Sequence, residues 1–290
     1  MITQTLPHSV QQNDPGTLHG PEAEIHVYAG TAGHSAWFSD DLGQTWVHPN
    51  SHSGMYLEAR VWSMSSHPAT PESLHAGSDE GVFTWNEHTA RWQKLSVALG
   101  DVWSIVHAPD NSATLYAGTR PATLHRSTDG GATWQELATP GIAKFSDVNM
   151  GPTRVTQLLF DPFTAGRLWA TVEIGGIYRS DDAGATWRLL VNGLVSTDVH
   201  GIAVTRTPAG ATRILASTNR GLHTSVDHGE TWAFLELDSP WQYTRAVVTR
   251  ADNPSIVFLA NGNGPRATTA ACSAARMAAG LGKSLTCPVR

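Results

Sequence analysis

Five times along the chain, a charged or phenolic residue stands two positions before an aromatic, polar or charged one at the head of an apolar run. The leading positions hold Arg60, Asp101, Arg154, Asp198 and Tyr243, and the following ones hold Trp62, Trp103, Thr156, His200 and Arg245. A second set, His34, Asp79, Glu80, Arg120, Glu173 and Arg220, falls at corners between later apolar runs. Guanidinium groups fork carboxylates bidentately, indole faces stack on sugar rings, and carboxylates exchange protons. Gathered at one mouth, these groups suit an anionic or sugar-like ligand. The structural alternative is that Arg and Asp at neighbouring strand edges pair with each other while Trp62 and Trp103 simply pack. No His/Cys cluster has zinc spacing, and no P-loop or nucleophile elbow occurs, so neither a metal nor a cofactor is expected.

The elements that must position these residues are short repeated strands. One set reads Val27-Tyr28-Ala29-Gly30, Leu74-His75-Ala76-Gly77, Leu115-Tyr116-Ala117-Gly118, Leu168-Trp169-Ala170, Ile214-Leu215-Ala216 and Phe258-Leu259-Ala260. Another, preceding it in each unit, begins at Val61, Val102, Val155, Val199 and Thr244. A third landmark follows the shared alanine by nine or ten residues: Ser-x-Asp-x-Gly-x-Thr-Trp at 39–46, 127–134, 180–187 and 225–232, with an eroded copy at 85–92. Short polar side chains and a glycine between apolar runs predict a tight turn, with Ser and Asp bonding backbone amides and Gly taking a positive φ. Asp41, Asp129, Asp182 and Asp227 are therefore read as turn-building groups. The last two complete copies begin 45 residues apart, a normal period for a four-stranded blade. The interval from Ser127 to Ser180 is longer, and its excess lies in Thr139 to Pro152, a loop long enough to be a functional candidate.

The repeated turn is the Asp box, or BNR repeat, and the chain resembles the Asp-box β-propellers, among them sialidases, xyloglucanase-type hydrolases and sortilin-like receptors. The resemblance implies an all-β propeller with six or seven blades in a parent protein, incomplete here at about five blades plus a half blade. It also implies that the boxes lie on the outer rim and that the entries to the first strands share a face with the corners joining second and third strands. Sialidases combine Asp boxes with an Arg-Ile-Pro-type motif, an arginine clamp, a Tyr/Glu pair and an acidic Asp; no Arg-Ile-Pro occurs here. Two functions follow as expectations. The first is a binding or scaffold propeller for a small polar or carbohydrate ligand, or a protein partner, using Arg60, Arg154, Arg245, Arg120, Arg220, His200, Trp62 and Trp103. The second is a sialidase-like glycoside hydrolase with Asp101, Asp198, Glu173 and Tyr243 as catalytic groups.

The chain of 290 residues is 40% hydrophobic and 15% charged, with 27 glycines and a net charge of -6, which predicts a turn-rich soluble protein. Its Lys and Arg are scattered, so a nucleic-acid stripe is not expected. Met1 to Asn13 lack an apolar core, and no span of membrane length follows, so the expected location is cytoplasmic with no membrane partner. Residues 1–23 read as a flexible lead-in and 24–265 as one propeller domain whose first blade lacks its own first strand. Residues 266–290, alanine-rich and carrying Cys272 and Cys287, break the pattern. Read with the codons shifted by one frame, Ala274 to Gly282 permits a further complete box, so the tail is read as a frameshifted remnant of blade six, without that blade's outer strands.

Overall fold

The computed structural model describes residues 2–3, 25–48, 54–86, 88–95, 99–142, 144–146, 151–207, 209–250, 252–265, 270–276 and 285–287. Among these there is no α-helix, and none long and apolar enough to cross a membrane. The chain forms two compact units, Met1–Thr119 with His125–Gln135, and Arg120–Leu124 with Glu136–Arg290.

The first unit holds a three-stranded sheet of Ile2–Thr3, Val27–Gly30 and Ala36–Ser39, followed by a four-stranded one of Val61–His67, Thr70–Ser78, Gly81–Asn86 and Arg91–Lys94. Most of a third sheet also belongs to it: Asp101–Ala108, Asn111–Arg120, Leu124–Ser127 and Gln135–Glu136. The second unit holds three four-stranded sheets. These are Val155–Phe160, Leu168–Val172, Gly176–Ser180 and Arg188–Leu189; Val199–Arg206, Thr212–Thr218, Gly221–Ser225 and Ala233–Leu235; and Tyr243–Arg250, Asn253–Gly262, Ala270–Arg276 and Leu285–Cys287. Every sheet is an antiparallel meander in chain order, and the second strands of the fourth and fifth sheets are deeply buried, whereas Val27–Gly30 of the first is only partly so. Such strands read as continuous apolar runs because both faces are covered.

Two expectations change here. Ile2–Thr3 pairs with Val27–Gly30, through Ile2 opposite Ala29, and so supplies the first sheet with a leading strand. Ala270–Arg276 and Leu285–Cys287 complete the last sheet, with Ala260 opposite Cys272 and Cys272 opposite Cys287. Ladder bonds use backbone groups that every non-proline residue carries, so a segment without aromatic anchors closes an open edge as well as an aromatic-rich one. Of the lead-in, residues 1 and 4–23 lie outside the described residues, as do residue 24 of the propeller and residues 266–269, 277–284 and 288–290 of the tail.

Each Ser-x-Asp-x-Gly-x-Thr-Trp turn follows the third strand of its sheet, and its bonds close on themselves. In the fourth sheet Ser180 Oγ donates to Asp182 Oδ1 at 2.7 Å and accepts from the Gly184 amide at 2.7 Å. Asp182 accepts from the Thr186 amide at 2.8 Å and hydroxyl at 2.7 Å. The Thr hydroxyl and amide, with the Ser hydroxyl, hold all four Asp carboxyls at about 2. Gly184 has φ +88° and Ala183 before it +53°, a left-handed pair that brings the chain back. In the fifth sheet's copy the tryptophan packs inward, Trp232 joining Trp169, Ile177, Leu190, Val199 and Ile214 in a core shared by the fourth and fifth sheets, whereas Trp46 of the first copy is exposed. In the eroded copy, Asn86 Oδ1 accepts from the Thr89 amide at 3.1 Å, and Trp85 lies opposite Trp92 across the ladder; Glu87 is outside the described residues.

Candidate functional site

The chain uses one backbone clasp to bring distant residues together. Within a sheet, the carbonyl of the residue that leads into the first strand accepts from an amide at the corner between the second and third strands. Asp79 N bonds Arg60 O at 3.1 Å, Glu173 N bonds Arg154 O at 3.0 Å and Asn219 N bonds Asp198 O at 3.2 Å. Arg60 with Asp79 and Arg154 with Glu173 thus join the two sets chosen by sequence register, while Asp198 meets Asn219, the residue before the candidate Arg220.

In the second unit these pairs line a cleft of about 990 Å³. Its walls carry Arg120, Arg154, Glu173, Asp198, Arg220, Tyr243 and Arg245, all candidates by register. The long loop contributes Ser146, Gly151 and Pro152, and the Arg120 Nε donates to the Pro152 carbonyl at 3.4 Å. Arg154 Nη2 pairs with Glu173 Oε1, the two side chains being 20% and 16% exposed. Burial pushes the Glu173 carboxyl above the usual carboxylate range, with the Asp198 charge adding to it and Arg154 opposing. Burial likewise lowers Arg154 and raises the Tyr243 phenol. The Arg245 guanidinium lies 5.1 Å from the centre of the Tyr243 ring.

His200 stands behind Asp198. Its Nδ1 lies 2.5 Å from the Thr244 carbonyl, which only accepts, so Nδ1 carries the proton. Its Nε2 faces Asp198 Oδ1 at 3.4 Å, and among the described residues nothing donates a hydrogen bond to that buried oxygen. One atom each of Glu173, Asp198 and His200 fall within 4.8 Å of one another. No sequence spacing announces this cluster, because Glu173 comes from a different sheet than the other two.

The position His200 occupies has a repeated structural use. Thr156 Oγ1 donates to the Val199 carbonyl at 2.8 Å, and Trp62 Nε1 donates to Asp101 Oδ1 at 2.8 Å, so this position ties one first strand to the next. Asp101, Arg60, Trp62 and Trp103 lie in the first unit. There Trp62 and Trp103 stack with centroids 4.0 Å apart and planes 11° from parallel, while Arg60 is exposed. Residues that register alone did not select are Ser146, Thr197, Asn219 and Thr244. Asn219 follows Thr218 at a strand end as Glu173 follows Val172, a correspondence visible once the second strands are aligned.

No family model matches the chain. It is 24% identical over 269 residues to the xyloglucanase Xgh74A of Acetivibrio thermocellus, covering 78% of this chain and 31% of that enzyme. It is 23% identical over 191 residues to the oligoxyloglucan-reducing end-specific xyloglucanase of Emericella nidulans, covering 59% of this chain and 23% of that enzyme. The chain therefore spans between about a quarter and a third of the length of these curated relatives. Among solved structures it is similar to the GH74 xyloglucanase from Xanthomonas campestris, with TM-score 0.64 and 17% identity over 89% of this chain and 43% of that one. An ancestral GH74 enzyme gives TM-score 0.63 at 16% identity, over 86% of this chain and 34% of that one. YCF48 bound to D1 peptide gives 0.59 at 18%, over 90% of this chain and 76% of that one. The fold is a β-propeller, as the repeats imply.

Proposed function

We propose that the cleft of the second unit binds an anionic, carboxylate-bearing ligand, saccharide or peptide in nature, as a binding propeller does. The observation that carries this reading is the surplus of guanidinium groups. Arg120, Arg154, Arg220 and Arg245 share one cleft with Glu173 and Asp198, and one of those carboxylates already belongs to Arg154. Planar forks around a concave wall fit carboxylate geometry. The likeness to YCF48, whose structure holds a D1 peptide, supports ligand capture by such a propeller. The self-bonded turns support reading them as Asp boxes of the sialidase-like lineage.

The xyloglucanase relatives favour a second reading, glycoside hydrolysis, with Glu173, whose carboxyl burial raises, as the acid and Asp198 as the base. One oxygen of each falls within 4.8 Å of the other, which is compatible with the separation of about 5–5.5 Å between carboxyl groups that retaining enzymes use and is short of the inverting arrangement. Calorimetric titration with sialyllactose, xyloglucan oligosaccharides and a short peptide with a free C-terminal carboxylate separates the readings. Binding of a carboxylate-bearing probe, weakened at least about 10-fold by Arg245→Gln or Arg220→Gln, is the expected result. Binding indifferent to both changes removes the ligand reading. Release of product from fluorogenic glycosides, lost on Glu173→Gln and Asp198→Asn, replaces it with the hydrolase.

A further inference from the structure

We propose that Glu173, Asp198 and His200 together hold a divalent transition-metal ion whose remaining positions open into the cleft. The donor set is one imidazole and two carboxylates, which suits zinc, manganese, cobalt or ferrous iron better than a purely oxygen-seeking cation. Ligand atoms each about 2.0–2.2 Å from a shared ion lie at most about 4.4 Å apart. That limit is reached only by ligands on opposite sides of the ion, and tetrahedral neighbours lie about 3.3–3.6 Å apart. His200 Nε2 and Asp198 Oδ1, at 3.4 Å, already have that separation, while the Glu173 oxygen, within 4.8 Å of both, closes by at most about 1.5 Å.

Two further observations point to an ion at this spot. The first is the fixed tautomer of His200. With Nδ1–H given to the Thr244 carbonyl, the neutral ring presents its Nε2 lone pair to Asp198 Oδ1 at 3.4 Å. A backbone carbonyl taking the remote N–H is the arrangement that orients metal-bound histidines. The His200 side chain is only 4% exposed, so the ring has no room to turn away. The second is Asp198 Oδ1, which is buried and receives no hydrogen bond from any of the described residues. A lone pair facing an unsatisfied carboxylate oxygen is repulsive unless a cation lies between them. Either a proton on Nε2 or a metal ion answers that need. Glu173, brought beside the pair by its clasp to Arg154, supplies the third donor that a proton does not require.

Arg154 and Arg245 oppose a cation here, since both act on Glu173. They offset the two carboxylates, so a bound dication leaves the site with a net positive charge that an anionic ligand completes. The inference concerns the same cleft as the proposed ligand site but does not require that any ligand bind there.

The test is titration of EDTA-stripped protein with Zn²⁺ by calorimetry and with Co²⁺ by visible absorption. One ion per chain is expected, with a d–d band for cobalt. Asp198→Asn and His200→Gln each weaken binding at least about 100-fold, with thermal unfolding used to verify that the variants fold. Arg245→Gln tightens it, because a repelling charge is gone. No saturable uptake, or uptake that survives both Asp198→Asn and His200→Gln, overturns the proposal. The same result follows if NMR shows His200 as a stable imidazolium that ignores added zinc. Anion binding by the stripped protein is measured separately, so either inference can fail without the other.

Discussion

At the scale of residues, the Arg154–Glu173 pair is the most exacting feature of the cleft. Burial opposes both charges, and each is kept by the other. Arg154→Met strands a half-buried carboxylate. It should destabilise the protein by about 1–3 kcal/mol, between the limits for exposed and fully buried pairs, in urea unfolding. The double variant with Glu173→Gln should recover part of that loss, because the neutral amide needs no counter-charge. The residue types at this site were legible from register alone, since the clasp makes their spacing periodic. Their individual partners were not. That His200 donates to Thr244, and that Trp62 reaches Asp101, depends on how one first strand lies against the next, which no periodicity along a single chain encodes.

Elements hold because their turns are locally complete. Ser180 Oγ is buried and serves both the Asp182 carboxylate and the Gly184 amide. Ser180→Ala leaves those groups short of a partner and should cost about 1–3 kcal/mol, read as a lower urea midpoint at unchanged slope. Gly193 tests a different contact. It has φ +89°, and a Cβ there would stand 2.2 Å from the Trp232 carbonyl oxygen. Gly193→Ala should therefore destabilise by more than the about 1 kcal/mol that a strained φ alone costs, whereas Gly210→Ala, with φ +83° and open space, should show only the strain. The strands and turns were readable in advance because apolar runs and Asp/Gly punctuation are chemical signals. Ile2–Thr3 and the segments around Cys272 and Cys287 were not, since their pairing rests on backbone bonds and leaves no side-chain signature.

Across the whole molecule, acid should act in two stages. In the first unit His75 and His107 are buried, their rings meet edge-on at 5.0 Å, and burial lowers them from the ordinary 6.5 to about 4 and about 3. Both rings are neutral when folded and take up protons when unfolded. Stability is thus complete above about pH 6.5 and falls as the pH drops toward 4 and 3, by up to about 1.4 kcal/mol per pH unit for each ring. The turn carboxylates, held at about 2, keep their contribution above the ordinary 3.8 and lose it only as the pH falls toward 2. Thermal midpoints measured from pH 7 to pH 3 should already decline between 6 and 4; a flat profile there would contradict the buried neutral rings. The self-contained turns also bear on ancestry. Because the Ser, Asp, Gly and Thr of each copy bond within a span of seven residues, a stretch of gene encoding one blade carries its own folding instructions. Duplication or loss of such a stretch leaves neighbouring turns intact, so blade number is free to drift while the corners at the opposite end of the strands change independently.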